Sequence, residues 1–380
     1  MTEAKKLNRF AYIDTLRGLA ALYVFFYHLA LLPNPDLEVP YWAKRIVFSG
    51  GTGVTLFFVV SAFTLCYSIH ARSDEPKQIY RFYLRRIFRI TPLFYMWIAI
   101  TLIRDYYFYN VSHNLGQILL SVFFIFNFIP GKETGFVWAS WTLGVEMLFY
   151  LVFPLIVRYV TDYRRALGFF FLTIVASSIF AYLLVYLQIP VAQRDSYLHF
   201  SFINQLPIFA CGILAYYLYE TFIKDGNIDR SWGVLLIGSS LFIYGALLDG
   251  RLNVVFSSLY WQAIAFSGLL LGLSILPLKI LVNKLTTFFG LISYSVYLNH
   301  TTIIAALASV YSGIYLLDIS TSLKFFLSAV ITLSIVTVVS YLSYRLIEKP
   351  GMQLGRWMIR RLSISKSQAY AVSKTEIKEA

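Results

Sequence analysis

Asp14-Thr-Leu-Arg17 leads, through the apolar run GLAALYVFFY, to His28. Eleven positions of α-helix are three turns plus about 20°, so Arg17 and His28 share one face roughly 16 Å apart. A permanent cation then stands near one mouth of the helix and a titratable imidazole deep along it, with Asp14 placed to pair with Arg17. A second group, Arg81-Phe-Tyr-Leu-Arg85-Arg86-Ile-Phe-Arg89-Ile-Thr-Pro92, sets Arg86 and Arg89 at i and i+3, where two guanidinium forks can hold a phosphate. A third, Trp141-Thr142-Leu-Gly-Val-Glu146-Met-Leu-Phe149-Tyr150, puts a carboxylate and a phenol on one face. A carboxylate orienting an imidazole makes a competent general base, and His28 is the partner this reading gives to Glu146. Each group also has a plainer reading: Arg17 reaching for the interface, His28 bonding a neighbouring helix, the arginines marking topology, Glu146 bonded to backbone in its protonated form.

What makes these residues informative is the solvent in which they sit. Of 380 residues, 58% are hydrophobic and 13% charged, against roughly a quarter charged in soluble domains. Apolar runs of about 20 residues, the length that crosses a bilayer as helix, recur throughout, and the short alternating strands of a barrel do not. Ionisable groups at that depth cost about 2.5–3.5 kcal/mol each and generally serve function. The expected fold is an all-α, polytopic membrane helical bundle of about ten transmembrane helices, at 11–32, 52–70, 91–109, 142–160, 166–187, 203–222, 232–248, 255–276, 287–309 and 324–347. The apolar stretch 115–130 is too short and is expected to be re-entrant or interfacial.

Charge distribution supports that count. With both termini cytoplasmic, only Lys44, Arg45, Arg104, Lys132, Arg194, Arg251 and Lys324 of the 32 basic residues fall outside, as the positive-inside rule requires. An eleventh span would move the basic segments around Arg164 and Lys224 to the wrong side. The net charge of +13 therefore reads as topology, and no nucleic-acid partner is expected. The first apolar run reads as a retained helix rather than a signal peptide. Residues 1–350 form one membrane domain, and 351–380 a basic cytoplasmic tail whose Leu354, Trp357, Met358 and Leu362 suggest a short interfacial helix. Cys66 and Cys211 sit in apolar runs and read as core residues. His113 and His199 have no metal-ligand companions, and no metal is expected.

Taken in order, these segments resemble the acyltransferase 3 family. IDTLRGLAALYVFFYH is similar to its Arg-then-ten-then-His first helix, and LFFVVSAF at 56–63 to its FF-x-x-SGF pattern, with Ala62 where glycine is usual. RRIFRITPLFY resembles the family's Arg-x-x-Arg segment. WTLGVEMLFY resembles W-S-L-x-x-E-x-x-F-Y with Thr142 for serine, and ISYSVYLNH and YRLIEKP its closing signatures. The resemblance implies an O-acyltransferase of the bacterial cytoplasmic membrane. It implies acyl-CoA, acetyl-CoA above others, as co-substrate from the cytosol, and a carbohydrate or glycolipid acceptor on the far side; lipid, peptide and natural-product acceptors are alternatives within the same chemistry. Arg86 and Arg89, with Arg17, would then hold coenzyme A phosphates. His28, oriented by Glu146 with Asp14 and Tyr150 in support, would deprotonate the acceptor hydroxyl or carry the acyl group itself. His300 and Tyr297 are candidates to line the pocket. A secondary transporter would also bury Arg, His and Glu, but neither an inverted repeat nor paired broken helices are visible. The oligomeric state is left open.

Overall fold

A computed structural model of the chain describes residues 10–33, 36–226, 228–250 and 257–361. Its helices are α1 (Ala11–Leu31), α2 (Lys44–Phe48), α3 (Gly53–His70), α4 (Gln78–Phe108), α5 (Leu115–Val122), α6 (Trp141–Tyr159), α7 (Tyr163–Leu184), α8 (Val191–Phe200), α9 (Phe202–Leu218), α10 (Arg230–Leu248), α11 (Ser258–Ile275), α12 (Lys284–Leu291), α13 (Ser293–Ala306), α14 (Ala308–Tyr315) and α15 (Thr321–Ser343). Among the described residues the fold is all-α. Most backbone donors and acceptors of these helices are thereby bonded within their own segment, as lipid demands.

Eight helical stretches are long and apolar enough to cross a membrane: Tyr41–His70, Gln78–Phe108, Trp141–Tyr159, Tyr163–Leu184, Val191–Ile223, Arg230–Leu248, Ser258–Ile275 and Thr321–Arg361. The two remaining expected spans, 11–32 and 287–309, fall outside this set for an informative reason. α1 carries Asp14, Arg17 and His28, and the later stretch is divided at Ile292 into α12 and α13, with Ser293, Ser295, Asn299, His300 and Thr301 all buried in α13. The stretch 115–130 forms the eight-residue α5, opened by an Asn114–Gln117 capping box and followed by a reversal at Phe124, φ +59°. At about 12 Å it is too short to span.

One expected boundary is corrected. The helix placed at 91–109 begins at Gln78, so the arginine segment is helical rather than a connection. Charge had marked Arg81–Arg89 as outside the apolar layer, but nothing in 78–91 breaks a helix. Pro92 removes one backbone donor and leaves α4 continuous. At the other end, α15 continues through a π-helical turn at Tyr344–Glu348 into a helix that reaches Arg361. Gly351 and Gly355 in that extension lie against Phe88 and Pro92 of α4. Residues 362–380, including Leu362 of the expected tail helix, lie outside the described residues, as do Lys5, Lys6, Arg9 and Arg251.

The bundle is built around α3, which is buried along nearly its whole length and packs against α1, α9, α11 and α6. By contrast α10 buries only Gly233, Ile237 and Ser240 and turns Val234, Leu241 and Phe242 outward, the face expected toward acyl chains. Cys66 and Cys211 are free and buried. α1 is held between α3 on one side and α12 and α13 on the other. The α1–α12 crossing is backbone on backbone: a Cβ on Gly290 would lie 1.9 Å from the Asp14 carbonyl oxygen, and one on Gly18 2.4 Å from that of Thr286. Only glycine permits this approach, and it fixes the height of Asp14 and Arg17 relative to α13.

Candidate active site

Helices α1, α3, α4, α6 and α13 line one cavity, onto which Arg17, Arg86, Arg89, Glu146 and Tyr150 all open. One turn of α4 carries Arg86 and Arg89 inward, while Arg85 turns away to Glu75 at 2.8 Å. The Arg86 guanidinium lies over two adjoining aromatic rings, 5.6 Å from the centroid of Phe82 and 5.7 Å from that of Tyr150. Its Nε is buried without a hydrogen-bond partner. Arg17 donates through Nη2 to Thr64 Oγ1 at 2.9 Å. Arg89 stands in the combined field of Glu348, Glu146 and Asp14, and Glu348 itself accepts from Ser295 Oγ at 2.9 Å. Val54, Phe57, Phe58, Ile90 and Leu143 form the apolar walls, and Tyr297 closes the far end.

Glu146 Oε1 accepts from Ser61 Oγ at 2.6 Å and from the Tyr150 hydroxyl. The pairing with His28 expected from sequence is thereby corrected. Its hydrogen-bond partners come from α3 and from one turn along α6, whereas the His28 end of α1 packs on α13. There the His28 Nδ1 meets His300 Nε2 at 2.9 Å, their ring centroids 4.9 Å apart, and His300 Nδ1 meets the Val296 carbonyl at 3.1 Å. A helical-face argument places Arg17 and His28 on one stripe but does not say which helix that stripe meets at each height.

The two regions are joined through aromatic rings. Phe57 on the cavity wall lies 5.7 Å from Tyr297, and Tyr297 lies 5.7 Å from His300. The Tyr297 hydroxyl accepts from Thr142 Oγ1 at 3.0 Å. The cavity therefore ends on Tyr297, with the histidine pair one ring further in. Of the residues singled out by sequence, the structure gathers Arg17, Arg86, Arg89, Glu146 and Tyr150 around one space. Asp14, 8% exposed, lies on the same flank, and His28 stands in the adjoining pair. Sequence reasoning passed over Ser61 and Glu348 and gave His300 no partner. The available signal was the density of polar residues in 293–301, too high for a helix that only fills space.

Residues 10–345 match a family model described as an acyltransferase domain. Among curated proteins, the chain is 29% identical to a candidate acetyltransferase, ORF330, of Acidianus two-tailed virus over 76% of this chain and 81% of that protein. It is 23% identical to a candidate O-acetyltransferase of Staphylococcus aureus strain COL, over 93% of this chain and 59% of that longer relative. It is 26% identical to the exopolysaccharide production protein ExoZ of Rhizobium meliloti, over 81% of this chain and 91% of that one. The chain thus spans about three fifths of the staphylococcal protein's length. No solved structure is a significant match. With the family model covering most of the chain and several of the relatives named for acetyl transfer, the protein is an acyltransferase and belongs to the acyltransferase 3 family of membrane-bound acyltransferases.

Proposed function

We propose that this protein moves an acyl group, acetyl first among candidates, from cytosolic acyl-CoA to a hydroxyl of a surface or periplasmic carbohydrate or glycolipid. The observation that carries the reading is the convergence of Arg17, Arg86 and Arg89 on one cavity, with the Arg86 Nε buried and unpartnered. Coenzyme A brings several phosphate charges, and clustered guanidinium groups in a partly desolvated cleft are the donors that suit them. The name of the ExoZ relative, an exopolysaccharide production protein, supports a glycan acceptor.

In this reading the chain crosses the bacterial cytoplasmic membrane ten times with both termini inside. Its two less apolar spans are α1 and the α12–α13 pair. Residues 1–350 are the transferring domain and 351–380 a basic cytoplasmic tail. Phosphates bind at the arginines, and the pantetheine arm runs along Phe57 and Phe58 toward Tyr297. His28 Nε2 takes the proton from the acceptor hydroxyl as its oxygen attacks the thioester carbonyl. The C–S bond then breaks, and the imidazolium returns the proton to the coenzyme A thiolate. Glu146 balances the charge of Arg86 and Arg89 while the cavity awaits its donor.

Membranes containing the protein should transfer label from labelled acetyl-CoA to a polysaccharide or glycolipid fraction. Mass spectrometry of surface glycans should show that acyl mass lost when the protein is absent. A loss confined to lipids would move the acceptor out of the carbohydrate class. Unchanged transfer by His28→Ala membranes would remove His28 from the mechanism. Protein that neither binds acetyl-CoA nor moves its label would favour the transporter.

A further inference from the structure

The histidine pair does more than pack. Resting on the reading that His28 is the base, we propose that His300 is a positioning residue that holds His28 as the Nδ1–H tautomer and leaves its Nε2 lone pair free for the reacting hydroxyl. The Val296 carbonyl can only accept, so the His300 nitrogen 3.1 Å from it, Nδ1, carries a proton. A neutral imidazole has one N–H, so His300 Nε2 is then an acceptor. His28 Nδ1, 2.9 Å away, must therefore be the donor, and a neutral His28 has its remaining lone pair on Nε2.

The chain of inference requires His300 to be neutral, and its surroundings require that too. The ring is 1% exposed, and its hydrogen-bond partners are a carbonyl and another imidazole. A buried imidazolium without a carboxylate at bonding distance is costly. The same arrangement serves the reaction. When His28 takes a proton on Nε2, its Nδ1–H still points at the His300 lone pair, so the cation forms against an acceptor already in place. A carboxylate would stabilise that cation more strongly, but it would bury a full negative charge in the resting bundle. A neutral ring anchored on the helix backbone orients His28 without that cost.

The test compares His300→Phe, which keeps a ring and removes the acceptor, with His300→Gln, whose side-chain oxygen can accept near the position of Nε2. Thermal melting in detergent and acetyl-CoA binding first establish that both variants are folded. His300→Phe should then lose roughly 10²-fold in kcat, within the range of general-base catalysis, with KM for acetyl-CoA unchanged because the arginine cavity is untouched. His300→Gln should recover to within about tenfold of wild type. Two folded variants with equal kcat, whether both high or both low, overturn the proposal.

A second measurement is independent of turnover. The chain has five histidines, so ¹⁵N-histidine spectra can be assigned by substitution. His28 should show a protonated Nδ1 and a bare Nε2 in the wild type, and a mixture of tautomers in His300→Phe. A protonated Nε2 in the resting protein, or an unaltered tautomer without His300, sinks the inference. Active His28→Ala protein would instead mark the failure of the reading on which it rests.

Discussion

The arginine cavity and the histidine pair lie at opposite ends of one stripe of α1 and are built on different principles. Around Arg17, Arg86 and Arg89 the side chains are half-buried and open onto a shared cavity. Several oxygens, from Glu146, Glu348 and Asp14, share the field of Arg89. Coulomb interactions of this kind fall off slowly with distance and tolerate some displacement. Around His28 there is one partner at one distance, 2.9 Å, and the result depends on which nitrogen bears a proton. The first region suits holding a large anion that arrives and leaves. The second suits moving a single proton.

Substitutions should separate the two regions. His28→Ala is expected to have the largest effect: transfer falls about 10³-fold while acetyl-CoA affinity in a filter-binding assay is unchanged. A parallel fall in affinity would merge the regions into one site. Arg86→Gln should do the reverse, raising KM for acetyl-CoA about 10–100-fold through loss of one charge-assisted contact of roughly 1.5–3 kcal/mol, with kcat nearly constant. Arg86→Lys should restore little, since a point charge replaces a planar fork lying over the Phe82 and Tyr150 rings. If lysine restores wild-type KM, the geometry of the fork is irrelevant.

Gly290→Ala should strain both regions together, because its Cβ meets the Asp14 carbonyl oxygen and α1 must shift as a rod. Overpacking of this sort costs about 1–3 kcal/mol and should lower the melting temperature and kcat and raise KM for acetyl-CoA. A change in only one constant would show that the ends of α1 move independently. The smallest expected effect is that of Glu146→Gln, which retains an oxygen for Ser61 and Tyr150 and should change transfer less than about fivefold. A loss as deep as that of His28→Ala would reinstate Glu146 as the orienting group.

Much of this was visible in the sequence. Hydropathy places α6, α7, α9, α10 and α11 within a few residues because a bilayer allows few other conformations for such segments. Arg17, Arg86, Arg89 and Glu146 stand out because each is expensive where it lies. The start of α4 was misplaced because charge was allowed to end a helix that has no breaker until Pro92, and even there the backbone continues. The partner of His28 was misassigned because acidity drew attention to Glu146. The true neighbour is a second imidazole, 272 residues away, on a helix whose position depends on the glycine crossing of α1 with α12. Periodicity reveals the face of a helix but not its neighbour, and here neighbours are chosen by small residues at two crossings.

That crossing bears on how the chain is made. α1 leaves the ribosome before the helices it packs on, yet it is poorly suited to stand alone in lipid with Asp14, Arg17 and His28 along it. Arg17 finds Thr64 only 47 residues later, whereas Thr15 waits for Thr286, 271 residues on, at 3.1 Å, and His28 waits for His300. At about 5–20 residues per second, the opening helix spends tens of seconds without the groups that later satisfy it. Residues 284–306 therefore complete α1, and a nascent chain released before residue 284 would carry that helix unfinished.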